Sequence, residues 1–107
     1  FHIIPLMDFS RPDTGKIISE LSEKVYNLVL QYKGSITAEH NDGIIRTPYL
    51  KKMYGEKMVS IFKEIKTIFD PKNIFNPGKK IPTEHNGGTK DYIEKHLATE
   101  HHIYHRV

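Results

Sequence analysis

The chain has 107 residues, of which 37% are hydrophobic and 27% charged, which suits one soluble domain with a modest core. Its net charge of +3 is far from the dense basic surface of a nucleic-acid-binding protein, so no nucleic acid partner is expected. The absence of cysteine excludes disulfides, thiolate zinc sites and cysteine-ligated iron–sulfur clusters within this chain. No apolar run approaches the roughly 20 residues of a membrane span.

The chain opens with an apolar segment, residues 1–9. A run this short predicts a buried strand more than a helix. Pro5 favours an edge or bulge position, because proline cannot donate a hydrogen bond to a neighbouring strand. The sequence starts at Phe1, in the middle of this predicted strand, and we therefore expect it to be a piece of a longer protein.

The clearest helical pattern covers residues 16–33. Its apolar residues recur at spacings of three and four and form one stripe, made of Ile17, Ile18, Leu21, Val25, Leu28, Val29 and Tyr32. Gly34 follows and suits a C-terminal cap. The next four residues, Ser35 to Ala38, have a β-like pattern and predict a second short strand.

A carboxylate and an imidazole come directly after this second strand, as Glu39-His40. Both side chains are good ligands for divalent ions, and histidine is well suited to act as a general base near neutral pH. The pair is common by chance, so its context must supply the specificity. Asn41-Asp42-Gly43 behind it predicts a turn.

The second half of the chain predicts helices separated by turns. Thr47-Pro48 fits a helix start, the short helix would end at Gly55, and another would cover residues 56–69 until Asp70-Pro71 stops it. The apolar stripe of that last helix is Met58, Ile61, Phe62, Ile65, Ile68 and Phe69. We expect the stripes of both long helices to lie in the core.

The remaining residues predict a docking loop and a tail. Residues 70–82 are rich in turn formers but carry apolar Ile74 and Phe75, and a loop of this kind usually docks onto another surface. From residue 82 the composition is that of a linker, followed by a weak helix near residues 90–98 and a histidine-rich end.

These elements predict an α+β fold with one or two short strands and three to four helices. So few strands cannot close a sheet, which again suggests a fragment that completes a larger protein. We divide the chain into a first unit, residues 1–81, and a linker with a weakly helical, histidine-rich tail, residues 82–107.

Several linked motifs resemble the C-terminal part of FAD-linked oxidases, the flavoenzymes that include D-lactate, glycolate and D-2-hydroxyglutarate dehydrogenases. The resemblance covers roughly residues 1–81. The motifs, in order, are Gly34 to Arg46, Pro48-Tyr49-Leu50, Phe62 to Lys66, Phe69-Asp70-Pro71 and Asn76-Pro77-Gly78-Lys79. Asn41 stands where the family usually has glycine, and asparagine tolerates the left-handed backbone well.

The resemblance implies a two-domain enzyme that oxidises a small 2-hydroxy acid to a 2-oxo acid. His40 would be the catalytic base that takes the hydroxyl proton. Glu39 and His2 would bind a divalent metal, zinc or manganese, together with a histidine upstream of this chain. The physical roles agree, because a cation lowers the pKa of a bound hydroxyl and a neighbouring imidazole can accept its proton.

The resemblance also implies contacts with FAD, which would be bound mainly by a domain outside this chain. Asn76 and Lys79 would lie against the flavin side of the enzyme, and Arg46 near the flavin or the substrate carboxylate. The chain alone would be inactive, and surfaces exposed by truncation would favour self-association. We expect a cytoplasmic protein, or one that meets the membrane peripherally through its electron acceptor.

A second reading stays open from the residues alone. The chain would then be a free-standing module that binds a metal or an acidic partner through its histidine-rich tail. The histidines concerned are His96, His101, His102 and His105.

Overall fold

The computed structural model describes residues 2–83 and 88–97, and this part of the chain is helical. The elements in chain order are α1 (Thr14–Gln31), α2 (Gly43–Arg46), a 3-10 turn (Thr47–Tyr49), α3 (Leu50–Phe69) and α4 (Lys90–His96). No helix within the described residues is long and apolar enough to cross a membrane. The histidines at 101, 102 and 105 lie outside the described residues.

The predicted α+β fold is wrong for residues 2–83 and 88–97, which contain no β-strand. Both segments expected to be strands, 1–9 and 35–38, are irregular where they are described. A strand is stable only when a neighbouring strand pairs with its backbone N–H and C=O groups. Among the residues that the structure describes, no such neighbour runs beside residues 2–9, and Leu6 is 99% exposed.

The end of α1 differs in detail from the sequence expectation. Lys33, and not Gly34, takes the left-handed backbone, with φ 57°. Gly34 donates its N–H to the Val29 carbonyl at 2.9 Å. A Cβ at position 34 would lie 3.0 Å from Val29 Cγ1 and 3.2 Å from that carbonyl oxygen, so glycine suits this close approach better than a residue with a side chain.

The predicted break at Gly55 is confirmed. Helix α3 spans Leu50 to Phe69, but Gly55 within it has φ 79° and ψ 164°, which is not helical. These angles are readily available only to glycine. The chain therefore kinks between the two helices that the sequence pattern separates.

The core is small and lies where α4 packs on α1 and α2. Its buried apolar side chains are Ile36, Tyr49, Leu50 and Ile93. Thr89 begins α4 by accepting a hydrogen bond from the Tyr92 N–H at 3.1 Å, which satisfies one of the free donors at the helix start. Burial raises the pKa of the Tyr49 hydroxyl above its usual value.

Most of both apolar stripes is exposed, contrary to the expectation that they form the core. Leu28 on α1 is 54% exposed, and Tyr32, directly after the end of α1, is 79% exposed. On α3, Ile68 is 73% and Phe69 is 82% exposed. The period of three and four residues shows which face of a helix is apolar, but it does not show that anything covers that face.

The loop after α3 is organised by Asp70, whose side chain is almost fully buried. Its carboxylate accepts hydrogen bonds from the backbone N–H groups of Ile74 and Phe75, both at 2.9 Å, and from the Lys66 ammonium. The Lys66 contact and these backbone donors hold the pKa of Asp70 below its usual value. The loop is thereby fixed against the end of α3, while Ile74 and Phe75 remain exposed.

Candidate active site

The structure brings together three side chains from two distant parts of the chain: His2, Glu39 and His40. His2 Nε2 lies 2.7 Å from Glu39 Oε1, and His40 Nε2 lies 3.3 Å from the same oxygen. The two imidazole rings meet edge to face, with centroids 5.6 Å apart. All three side chains are about two-thirds exposed, at 65%, 64% and 69% respectively.

A tight turn after Ala38 presents the Glu39 and His40 side chains. The Asn41 N–H donates to the Ala38 carbonyl at 3.0 Å, and Asn41 itself is left-handed, with φ 56°. Asparagine accepts this conformation more readily than most residues. Arg46 Nη1 then donates to the Asn41 carbonyl at 2.7 Å, which ties the turn to α2.

These side chains border a cleft of about 340 Å³. The wall of the cleft is formed by His2, Ser35, Ile36, Thr37, Ala38, Glu39, His40 and Arg46. The guanidinium of Arg46 thus lies in the same site as the predicted base and metal ligands. A cleft of this kind has room for a small ligand beside the three titratable groups.

The donor set of the cluster fits a divalent metal ion. One ligand atom from each of the three residues lies within 4.8 Å of the other two. Imidazole nitrogen and carboxylate oxygen are ligands that zinc accepts, and with His40 kept as the base, His2 and Glu39 remain as two ligands from this chain. As the structure stands, the His2 ring N–H can instead donate to the Glu39 carboxylate, which accepts only.

The remaining predicted cofactor contacts lie elsewhere. Asn76 and Lys79 border a second groove of about 410 Å³, lined mainly by apolar residues of α3 and the following loop. The lining of the His2–Glu39–His40 cleft does not include either residue. Lys79 Nζ is 3.4 Å from Asn76 Oδ1, so the two polar groups contact each other.

The tail histidine that falls within the described residues, His96, is engaged locally. Its ring stacks on Tyr92 with centroids 3.9 Å apart, and its Nδ1 lies 2.8 Å from the Tyr92 carbonyl oxygen. These contacts do not favour the reading in which the tail forms a separate metal site.

Three supporting residues, Asp42, Thr47 and Lys80, were not predicted from the sequence to belong to the site. Asp42 is buried directly behind the turn, and Lys80 Nζ lies 3.0 Å from its Oδ2. The Thr47 hydroxyl, expected to cap a helix, instead donates to the Gly43 carbonyl at 2.5 Å and accepts from the Lys80 N–H at 2.8 Å. Asp42 was read only as part of a turn, and nothing in its local sequence points to a partner 38 residues away.

The geometry of the three side chains and the cleft indicates the kind of site. A carboxylate and two imidazoles around a small cleft are suited to metal-assisted or acid–base chemistry on a small substrate.

Comparison with known proteins identifies the family. The family model described as "FAD linked oxidases, C-terminal domain" matches residues 1–80, and the chain belongs to this family. No solved structure matches the chain significantly.

Three relatives show the range of the family. The chain is 32% identical over 83 residues to D-2-hydroxyglutarate dehydrogenase of Escherichia coli, a match that covers 78% of this chain and 8% of that protein. It is 33% identical over 84 residues to the mitochondrial D-lactate dehydrogenase [cytochrome] 1 of Saccharomyces cerevisiae (78% and 14%). It is 34% identical over 68 residues to alkyldihydroxyacetonephosphate synthase of Trypanosoma brucei brucei (64% and 11%). The chain thus spans about one-seventh or less of each relative.

Proposed function

We propose that this chain is the C-terminal part of an FAD-dependent enzyme that oxidises a small 2-hydroxy acid to the 2-oxo acid. The observation that carries the proposal is the meeting of His2, Glu39 and His40 around one cleft, in a chain of the FAD-linked oxidase family. Two of the relatives described above are named for the oxidation of D-2-hydroxyglutarate and D-lactate, both 2-hydroxy acids.

The role of His40 is to accept a proton. Oxidation of a 2-hydroxy acid removes the hydroxyl proton and the hydrogen on C2 with its electron pair, and the C–O bond becomes a carbonyl. The imidazole of His40 is exposed and lines the cleft, and in its neutral form it can accept the hydroxyl proton at an unprotonated ring nitrogen. Glu39, 3.3 Å away, stabilises the imidazolium that results.

His2 and Glu39 would hold a divalent metal, and Asn76 and Lys79 would contact the flavin side of the enzyme. When bound, the metal would lower the pKa of the substrate hydroxyl and the flavin would accept the hydride. In metal binding the N–H of His2 Nε2 must be lost, since only the neutral nitrogen binds a cation. The side chain of Glu39 would turn from its hydrogen bond with His2 to the metal.

Arg46 is proposed to bind an anionic group at the cleft, either the substrate carboxylate or part of the flavin. Its Nη1 is used by the Asn41 carbonyl, and its Nε is buried without a hydrogen-bond partner in the described structure. A guanidinium is always charged and presents paired donors that match a carboxylate. A substrate acid bound there would lie beside His40 and the metal ligands.

The exposed apolar surface of α3 and the following loop is proposed to pack against the rest of the enzyme. It consists of Ile65, Ile68, Phe69, Ile74 and Phe75. Five large apolar side chains so close in sequence make a patch of the kind that marks an interaction surface.

Expressed alone, the chain would self-associate through this patch and be inactive, and sedimentation velocity would show a mass that rises with concentration. The protein would act in the cytoplasm.

The experiment that tests the proposed activity is anaerobic reduction of the full-length protein by candidate substrates. We expect the flavin absorbance to bleach with D-lactate, glycolate or D-2-hydroxyglutarate, and the matching 2-oxo acid to form in equal amount. The corresponding acids without the 2-hydroxyl serve as controls and should leave the flavin oxidised. A flavin that no 2-hydroxy acid reduces would contradict the proposal.

A further inference from the structure

Lys80 connects the turn that carries the predicted base to the loop after α3. Its Nζ lies 3.0 Å from Asp42 Oδ2, and its backbone N–H donates to Thr47 Oγ1 at 2.8 Å. Lys80 itself takes a left-handed backbone, with φ 62°, which turns the chain toward these two partners. One residue therefore makes two polar contacts with the segment that follows His40.

Asp42 depends on this contact. Its side chain is only 1% exposed, while that of Lys80 is 44% exposed. Neither carboxylate oxygen of Asp42 accepts a hydrogen bond within the described structure, so the ammonium of Lys80 is the charge that compensates it. A buried carboxylate without a partner is strongly unfavourable, and removal of one member of such a pair costs more than removal of both.

Asp42 lies close in sequence to the predicted base, so its ion pair with Lys80 can affect the position of His40. Asp42 comes two residues after His40, and its carbonyl accepts the Arg46 N–H at 3.1 Å. Arg46 in turn holds the Asn41 carbonyl at 2.7 Å. A displacement of Asp42 would therefore disturb the start of α2 and with it Arg46, whose Nη1 ties the turn presenting Glu39 and His40 to that helix.

We propose that Lys80 is a positioning residue, which acts through Asp42 and Thr47 to fix the Glu39–His40 turn against the loop containing residues 76–80. The proposal rests on the proposed function for its catalytic consequence, but not for its structural one. Lys80 does not line the His2–Glu39–His40 cleft. It contacts Asp42 and Thr47, its ammonium lies 5.8 Å from the Phe62 ring centroid, and it borders the second groove.

The test uses the full-length protein and four variants. Lys80→Met removes the ammonium and keeps the chain length, Lys80→Arg restores a cation, and Asp42→Asn removes the buried charge. Lys72→Met is the matched control, an exposed lysine in the same loop. Two readouts are taken: the imidazole NMR signals of His2 and His40 in the resting protein, and the rate of flavin reduction by substrate.

We expect Lys80→Met and Asp42→Asn each to shift the His40 signals and to lower the reduction rate by about 10- to 100-fold, since a small misplacement of a catalytic group has costs of this order. Lys80→Arg should restore most of both, and Lys72→Met should change neither. The double variant Asp42→Asn/Lys80→Met should be no worse than Lys80→Met, because the two residues act as one unit.

Three results would overturn the proposal. Unchanged His40 signals in Lys80→Met would show that the pair does not position the turn. Loss of flavin affinity with a normal reduction rate would show that Lys80 contacts the cofactor instead. Unfolding of both Lys80→Met and the double variant would show that the pair only maintains the fold. Shifted signals in a protein that oxidises no 2-hydroxy acid would instead refute the proposed function and leave the positioning role intact.

Discussion

His2 Nε2 lies 2.7 Å from Glu39 Oε1, although 36 residues, including the whole of α1, separate them in the chain. Both side chains are exposed, so their meeting is not a by-product of core packing. An exposed His–Glu contact contributes little to stability by itself. Because the contact lies beside His40 and a small cleft, we interpret it as part of the metal site, which is the basis of the first prediction.

Replacement of Glu39 should weaken metal binding. We expect Glu39→Gln in the full-length protein to lower the affinity for Mn²⁺ or Zn²⁺ by more than about tenfold. Loss of a residue that only hydrogen-bonds to a metal ligand already lowers metal affinity by about that factor, and Glu39 is proposed to be a ligand itself. The amide keeps the shape of the side chain but loses its negative charge. Titration calorimetry and the metal content of the purified protein measure the effect. Glu20→Gln, on the exposed face of α1, is the control. Equal metal affinity in Glu39→Gln and the parent would remove Glu39 from the metal site.

Replacement of Asp70 should loosen the loop after α3 and change how stability depends on pH. The pKa of Asp70 is lowered in the folded protein, so its ionised form binds Lys66 and the loop N–H groups more strongly than the protonated form does. This contribution is fully present above the unfolded-state pKa, near 3.8, and is lost as the pH falls through the lower folded-state value.

Thermal denaturation from pH 7 to pH 2 checks this prediction. Asp70→Asn should melt at a lower temperature than the parent at pH 7, and the difference should shrink below about pH 4. Glu64→Gln, an exposed position on α3, should follow the parent throughout. A difference between Asp70→Asn and the parent that stays constant down to pH 2 would mean that the charge of Asp70 does not support the loop.

Truncation of buried Leu50 should lower the free energy of unfolding much more than truncation of a residue on an exposed stripe. Leu50 is 1% exposed, and Leu50→Ala should lower the free energy of unfolding by about 2–5 kcal/mol. Leu28→Ala on α1, where the side chain is 54% exposed, should change the free energy of unfolding by no more than about 0.5 kcal/mol. Chemical denaturation of both variants measures the difference. Similar costs at the two positions would show that α1 is covered in solution.

The helices could be predicted from the sequence because their signals are local. Spacings of three and four residues indicated α1 to within two residues at each end, and Gly55 and Asp70-Pro71 marked the kink and the end of α3. The two strands could not be judged in this way. Whether an apolar run pairs as a strand depends on a neighbour elsewhere in the chain, and residues 2–9 have none within the described structure.

The candidate site was predictable in part for the same reason. Glu39 and His40 are adjacent in sequence, so their pairing could be seen directly, whereas His2 was assigned only through the resemblance to FAD-linked oxidases. The contact between Asp42 and Lys80 spans 38 residues and has no local signature. Burial of Asp42 makes that contact important, and burial of a charged side chain cannot be read from its neighbours in the sequence.

Substitution of His40 tests the central claim most directly. The account predicts that His40→Asn in the full-length protein keeps its flavin and its metal but reduces the flavin with a 2-hydroxy acid at least about 100-fold more slowly, because the hydroxyl proton has lost its acceptor. His96→Asn, which alters a histidine that stacks on Tyr92 away from the cleft, should react at the normal rate. A near-normal rate in His40→Asn would contradict the account.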